Sequence, residues 1–240
     1  MLLCSALVAA VIVWNLYSSG EQTLFLVGGE PVTEEEFGFY LQKVTPVVRE
    51  TLQRESQRES QKEMQEFKWS NKVNGKIGYE YLAEEAKKYA VSFKVIQREA
   101  KALHLVSNTD YSWLMRQREQ ENKERKAKKE QGETVYGVVE YSKEEYYNYF
   151  NSNLELRYQE KLINDAVLTV TEEESRTCYE ANLSYFDNQT YDTVRDSAKK
   201  LALEEKYKKY LENLKGKSKI TNVKEEAVIN TVKKAFEKTS

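Results

Sequence analysis

Two short β-prone segments sit at opposite ends of a chain otherwise written for helix, and that placement constrains the fold most. Leu24-Phe25-Leu26-Val27 runs into Gly28-Gly29 and then Glu30-Pro31-Val32-Thr33-Glu34-Glu35-Glu36. This reads as a strand, a glycine turn and a capped helix start. Far downstream, the helical run from Leu201 through Leu214 empties into Lys217-Ser218-Lys219-Ile220-Thr221-Asn222-Val223, a second short strand candidate. A lone strand leaves its backbone amides and carbonyls without partners. The two ends are therefore expected to pair, giving an all-α protein with a small β element and a helical cradle between the paired ends.

The helices are marked by their starts and their periodicity. Thr33 and Glu36 have the spacing of a capping box, and Phe37, Tyr40, Leu41, Val44, Val48 and Leu52 follow at helical intervals. Pro46 lies inside this pattern and predicts a kink. Gln53-Arg54-Glu55-Ser56 is repeated as Gln57-Arg58-Glu59-Ser60, a polar extension read as solvated. Met64, Phe67 and Trp69 restore apolar contacts before a break at residues 71–75.

The best amphipathic helix spans residues 77–105. Tyr81, Leu82, Ala86, Tyr89, Ala90, Phe93, Ile96, Ala100 and Leu103 step by three or four along one face. His104, the only histidine, falls in its last turn, where a structural role at the helix end outweighs a catalytic one. Beyond the caps at residues 108–110 come Tyr111, Trp113, Leu114 and Met115, and then a run of both charge signs over residues 116–130. Residues 134–141 (TVYGVVEY) are β-prone and are expected to be extended, clasping a neighbouring helix. Further capping boxes at Ser142 with Glu145, and at Thr171 with Glu174, open two more helices. A long helix over 191–215 and a short one carrying Ala227, Val228, Val232 and Phe236 complete the pattern.

Residues 1–17 pose a separate question. They carry no charged side chain, and only Ser5 and Asn15 interrupt their apolar character. The run is shorter than the roughly 20 residues that span a bilayer comfortably, and no Lys or Arg precedes it. It reads as membrane targeting, either a cleaved signal sequence or a retained anchor. Trp14 and Tyr17 suit an interfacial position and favour the anchor. The expected organisation is a membrane anchor or signal segment over 1–20, a helical domain over 21–223, and a short C-terminal helical extension over 224–240.

Composition narrows the chemistry. The 37 basic and 39 acidic side chains leave a net charge of −2, without the clustered positive excess of a nucleic-acid binder. Two cysteines make no disulfide framework, since Cys4 lies in the apolar run and Cys178 in a helix. A single histidine leaves Ser and Cys without a base for nucleophilic catalysis. Zinc-type Cys/His clusters, a Walker loop and a GxGxxG after a strand are all missing from the sequence. Neither a cofactor nor a metal is expected. The Glu-rich stretches 34–36 and 172–174 are explained by capping and the helix dipole. Asn182-Leu183-Ser184 and Asn188-Gln189-Thr190 match the glycosylation pattern, which is common by chance and empty in a bacterial setting.

Aromatic content is what remains. Seventeen Tyr, eight Phe and three Trp exceed what a modest helical core needs. Tyrosine can line a groove that is wet when empty and dry when a chain lies in it. Candidate contact residues for such a chain are Phe37, Tyr40, Tyr89, Phe93, Tyr146, Tyr147 and Phe150. All serve equally well as core.

Several of these segments together resemble the extracytoplasmic foldases of the PrsA/SurA type. Val27-Gly28-Gly29-Glu30-Pro31-Val32-Thr33 resembles that family's opening strand and turn. Gly75-Lys76-Ile77-Gly78-Tyr79-Glu80-Tyr81-Leu82 with Phe93-Lys94-Val95-Ile96 is similar to its second helix. Val170-Thr171-Glu172-Glu173-Glu174 with Tyr179-Glu180-Ala181-Asn182 is similar to the segment before its isomerase module. Tyr191-Asp192-Thr193-Val194, Glu204-Glu205-Lys206-Tyr207 and then Lys219-Ile220 resemble its closing helix and strand. The match covers roughly residues 22–223, with the motifs in the family's order.

The resemblance implies a SurA/PrsA-like chaperone frame on the outer face of a Gram-positive-type cell membrane, secreted if the N-terminal segment is cleaved. In the family a parvulin-type prolyl isomerase module sits between the last two matched segments. Here only residues 183–190 separate them, and the paired histidines of a parvulin site are absent. The expected function is ATP-independent holding of unfolded or exported polypeptides. One alternative is a divergent peptidyl-prolyl cis-trans isomerase. Another is a structural membrane protein that docks one partner through its charged helices, around residues 54–66 and 116–130. Expected partners are unfolded polypeptides and, through the N-terminal segment, the membrane; no nucleic acid is expected. A homodimer stays open, because an open groove and a dimer seam show the same apolar stripe.

Overall fold

The computed structural model describes residues 22–60 and 67–237, so the apolar run 1–17, with Cys4, and residues 61–66, with Met64, lie outside the described residues. The described chain is mostly helical, with seven α-helices and a three-stranded antiparallel sheet made from its two ends. Strand β1 (Thr23–Val27) is the middle strand. It pairs with β2 (Glu30–Thr33) through Phe25 opposite Val32 and Val27 opposite Glu30. On its other edge β5 (Ile220–Thr221) sets Thr221 opposite Leu26 and Ile220 opposite Val27. Amide bonds from Gly28 to the Lys219 carbonyl (2.9 Å) and from Lys224 to the Leu24 carbonyl (2.9 Å) extend this closure. The expected pairing of the chain ends is present.

The β1–β2 turn needs its glycines: Gly28 and Gly29 have φ of 56° and 93°, the left-handed region that costs other residues. A second hairpin, β3 (Lys72–Val73) with β4 (Lys76–Ile77), stands where the sequence suggested only a break. Its turn is Asn74-Gly75, both at positive φ, a strong short-range hairpin signal.

Helix α1 (Glu34–Ser60) continues through Pro46 and packs along α2 (Gly78–Ala102). The small side chains Ala83, Ala86 and Ala90 are buried at the α2 surface beside Phe37, Tyr40, Leu41, Val48 and Leu52 of α1. Helix α7 (Glu225–Glu237) is integral to the same core, since Val228 and Val232 are fully buried and the Phe236 ring lies tilted against Trp69 with centroids 5.0 Å apart. The expected C-terminal extension therefore shares one hydrophobic cluster with the N-terminal strand.

Helix α2 ends just before His104, which sits beyond it at φ 58° while the amide of Leu105 bonds the Ala100 carbonyl at 2.9 Å. This is the reversed hydrogen bond of a left-handed helix stop, with histidine in the place glycine usually takes.

Helix α3 (Tyr111–Glu130) carries the mixed-charge run as an exposed arm. Residues 134–141 form no strand. They fold back on α3, where Arg125 binds the carbonyls of Tyr136 and Val138, and Asn122 exchanges hydrogen bonds with the Tyr141 backbone at 2.9 and 2.8 Å. The clasp is as expected; the partner is the preceding helix, and its side chains replace a sheet ladder.

Helix α4 (Lys143–Asn164) begins at a complete capping box, as does α5 (Glu172–Ala181). A single 3₁₀ turn (Leu183–Phe186) and the left-handed pair Asp187-Asn188 connect α5 to α6 (Tyr191–Lys217). Two further apolar clusters extend away from the main core. Ile96, Tyr158, Leu162, Leu168, Tyr207 and Leu211 join α2, α4 and α6, and Phe186, Tyr191, Val194 and Ala198 hold the α5–α6 end together.

Candidate functional site

The seven candidate aromatics divide between core and cleft. Phe37, Tyr40 and Tyr147 are fully buried, and Tyr146 nearly so. Phe37 packs edge-on against Phe25 at 5.5 Å, while Tyr146 contacts Tyr141 and Tyr149. Phe150 is half-buried against Trp113. In this structure Phe37, Tyr40 and Tyr147 present no surface to an external chain. Tyr89 and Phe93 differ: half-buried on α2, they line a cleft of about 290 Å³.

The cleft lies between three helices. From α2 come Tyr89, Ser92, Phe93 and Ile96; from α4 come Asn148, Asn151, Ser152 and Glu155; from α6 come Leu211 and Lys215. Its apolar members step along one face of α2, and the amide, hydroxyl and carboxylate groups step along the opposing face of α4. On α4, Asn148 and Glu155 are two turns apart, about 10 Å at 1.5 Å per residue. The cleft is thus a short slot with apolar walls on one side and hydrogen-bonding groups on the other. A larger groove of about 710 Å³ runs between Gln22, Glu34 and α7, but charges of both signs wall it and no aromatic ring does.

Behind the cleft is a polar cluster that the sequence did not signal. Glu36, expected to complete the capping box at Thr33, turns inward instead; only the bond from its amide to Thr33 Oγ1 (3.3 Å) remains of that box. Glu36 Oε1 lies 2.7 Å from Lys94 Nζ, and both side chains are 1% exposed. It also accepts from the hydroxyls of Tyr40 and Tyr147, each at 2.7 Å, while those hydroxyls are 2.7 Å from each other. Three contacts share two hydroxyl protons, so two hydrogen bonds form at a time. Gln97 Nε2 donates to Asn151 Oδ1 at 2.7 Å, and Asn151 Nδ2 donates to the Tyr147 carbonyl at 2.8 Å. Asn151 therefore belongs both to this cluster and to the cleft wall.

Burial first, and the Glu36 carboxylate second, push the hydroxyls of Tyr40 and Tyr147 well above the ordinary tyrosine range. Both stay neutral donors, and Glu36, Tyr40, Lys94 and Tyr147 are sealed from solvent. Burying a carboxylate and an ammonium is costly unless they are paired and hydrogen-bonded; here Lys94 and the two tyrosine hydroxyls all gather on Glu36 Oε1, while Glu36 Oε2 is buried without a hydrogen-bond partner. The cluster fixes α1, α2 and α4 relative to one another and so sets the shape of the cleft.

Among the described residues, no three His, Cys, Asp or Glu side chains gather to hold a metal, and no helix is long and apolar enough to cross a membrane. Cys178 is buried and its thiol is pushed up by burial, away from reactive behaviour.

No family model, curated protein or solved structure matches the chain. The resemblance to extracytoplasmic foldases therefore rests on the sequence motifs alone.

Sequence periodicity identified Tyr89, Phe93 and Ile96 as one apolar stripe, but it did not identify the α4 and α6 members of the cleft. Asn148, Ser152, Glu155 and Lys215 look like ordinary solvated helix positions. Only the tertiary packing turns them toward α2.

Proposed function

We propose that this protein is an ATP-independent chaperone that holds unfolded or exported polypeptides, tethered by its N-terminal apolar segment to the outer face of the cell membrane on a SurA/PrsA-like frame. The observation that carries this reading is the cleft: Tyr89, Phe93, Ile96 and Leu211 form apolar walls opposite Asn148, Asn151 and Ser152. An apolar side chain of a client entering it leaves water at about 25 cal/mol per Å² buried. Amide and hydroxyl groups on the opposite wall hydrogen-bond a peptide backbone irrespective of its sequence.

The cleft takes one or two side chains at a time, so each engagement is weak and reversible without a nucleotide. Tethering several weak sites near a membrane raises their effective concentration. Tyr185 and Leu183, 68% and 43% exposed on the turn between α5 and α6, supply further apolar surface. The compact turn linking α5 and α6 supports a chaperone frame without an inserted catalytic module.

The test is light scattering from a chemically denatured client diluted into buffer without ATP. Stoichiometric protein is expected to suppress aggregation; unchanged scattering overturns the reading. A second reading, docking of one specific partner, is favoured by the exposed arm carrying Arg116, Glu119, Lys123, Glu124 and Lys126. Affinity capture separates them: one stoichiometric partner points to docking, many unrelated exported proteins to holding.

A further inference from the structure

We infer that the cleft selects extended polypeptide segments in which a lysine or arginine lies two residues from an apolar residue, with Glu155 as the residue that sets this preference. The inference rests on the holding function proposed above and deepens it. Glu155 lies at one end of the cleft, half-buried, and among the described residues no cation pairs with it. Its recorded partner is the Tyr207 hydroxyl, which donates at 3.4 Å. Lys215, the cation on the cleft wall, is already bound to Glu212 at 2.8 Å. The cleft wall therefore carries one carboxylate without an ion-pair partner, Glu155, and one cation, Lys215, already paired with a residue outside the lining.

The Glu155 carboxylate beside apolar walls matches one kind of side chain. Lysine and arginine carry a long apolar stem and a charged head, and they bury the stem while the head finds a polar partner. Here the stem lies along Ile96 and Leu211, and the head reaches the Glu155 carboxylate. The apolar residue two positions along the same segment points to the same face of an extended chain and falls toward Phe93 and Tyr89, about 6.6–7 Å farther along. An acidic side chain entering the same place meets like charge and is rejected. Exported chains rich in basic residues would then be held in preference to acidic ones.

The experiment uses the full chain and fluorescein-labelled, end-blocked peptides of the pattern Ala-Phe-Ala-X-Ala-Ala, with X as Lys, Ala or Glu, read by fluorescence anisotropy. The Lys peptide is expected to bind about tenfold more tightly than the Glu peptide at low salt, the preference shrinking as salt rises. Glu155→Gln is expected to erase most of that preference, and Glu155→Lys to reverse it. Ser92→Trp, which fills the cleft from α2, is expected to weaken all three, with circular dichroism and melting confirming that each variant is folded. Free lysine amide as competitor distinguishes a side chain presented by a peptide from a bare amine.

Equal binding of the Lys and Glu peptides, or a preference that survives Glu155→Gln, overturns the inference. If aggregation suppression persists alongside either result, the holding function stands and only the charge selection fails. If no peptide binds and no client is protected, both fail.

Discussion

Lys94 Nζ and Glu36 Oε1 meet at 2.7 Å in the centre of the fold, each side chain 1% exposed, with two tyrosine hydroxyls on the same carboxylate oxygen. Breaking such a pair from one side strands the other charge in a dry interior. Lys94→Met is expected to cost about 3–5 kcal/mol of unfolding free energy in urea denaturation, and the paired change Glu36→Leu with Lys94→Met to recover much of it. A single-variant loss below about 1 kcal/mol would mean that solvent reaches the pair.

The tyrosine hydroxyls add a dependence on alkaline pH. Burial and the Glu36 carboxylate raise Tyr40 and Tyr147 well above their ordinary value of 10.0 in the folded chain. A raised value favours the protonated form, so the stabilisation is complete below pH about 10 and declines above it, as the unfolded chain ionises and the folded one does not. Unfolding free energies between about pH 8 and 11 are expected to stay level and then fall. Tyr147→Phe is expected to be less stable at neutral pH, by about 1–3 kcal/mol, yet to fall less steeply above pH 10. Parallel curves for the two proteins would contradict the arrangement.

Two glycines are expected to behave differently for steric reasons. A Cβ on Gly28 would come 2.2 Å from Arg98 Nη1, but that is the far end of a flexible side chain, leaving mainly the cost of φ 56°. Gly28→Ala is expected to lose about 1 kcal/mol. A Cβ on Gly78 would come 2.7 Å from the Trp69 carbonyl oxygen, which is backbone and held by the Tyr79 amide at 3.1 Å. Gly78→Ala is expected to cost more, roughly 1–3 kcal/mol, and thermal melts of the two variants give the ranking.

Closure of the chain ends is tested at α7. Val228 and Val232 are fully buried in the cluster that holds Leu24 and Phe25. Replacing either by alanine is expected to cost roughly 1–3 kcal/mol. Removing β5 and α7 together should abolish cooperative unfolding, because β1 would lose an edge partner and its cover. A truncated chain that still unfolds in one sharp transition would show α7 to be an appendage.

The parts of this fold that were readable in the sequence are those set by local rules. Ser142 with Glu145, and Thr171 with Glu174, form the capping boxes their spacing specifies, and the Leu26–Thr221 pairing follows from two lone strands at the ends of a helical chain. The break expected at residues 71–75 is instead a hairpin, whose Asn74-Gly75 turn is itself a local signal. Thr33 with Glu36 has the same spacing as the working boxes, yet Lys94 and two tyrosine hydroxyls draw Glu36 into the core. No local pattern reveals a partner on another helix. Residues 134–141 show the same limit, since their β propensity is overridden by Arg125 and Asn122. The cleft was half legible: α2 announces an apolar stripe, but which part packs and which stays open depends on where α4 and α6 pass.

The most direct test of the central claim, that a client chain lies in the α2–α4–α6 cleft, is photo-crosslinking from defined positions. A benzophenone amino acid at Ser92 or Ser152, on the cleft walls, is compared with one at Gln120, exposed on the charged arm. Covalent adducts with a denatured client from Ser92 and Ser152, and none from Gln120, are the predicted result. Adducts of equal yield from all three positions, or from Gln120 alone, would contradict it.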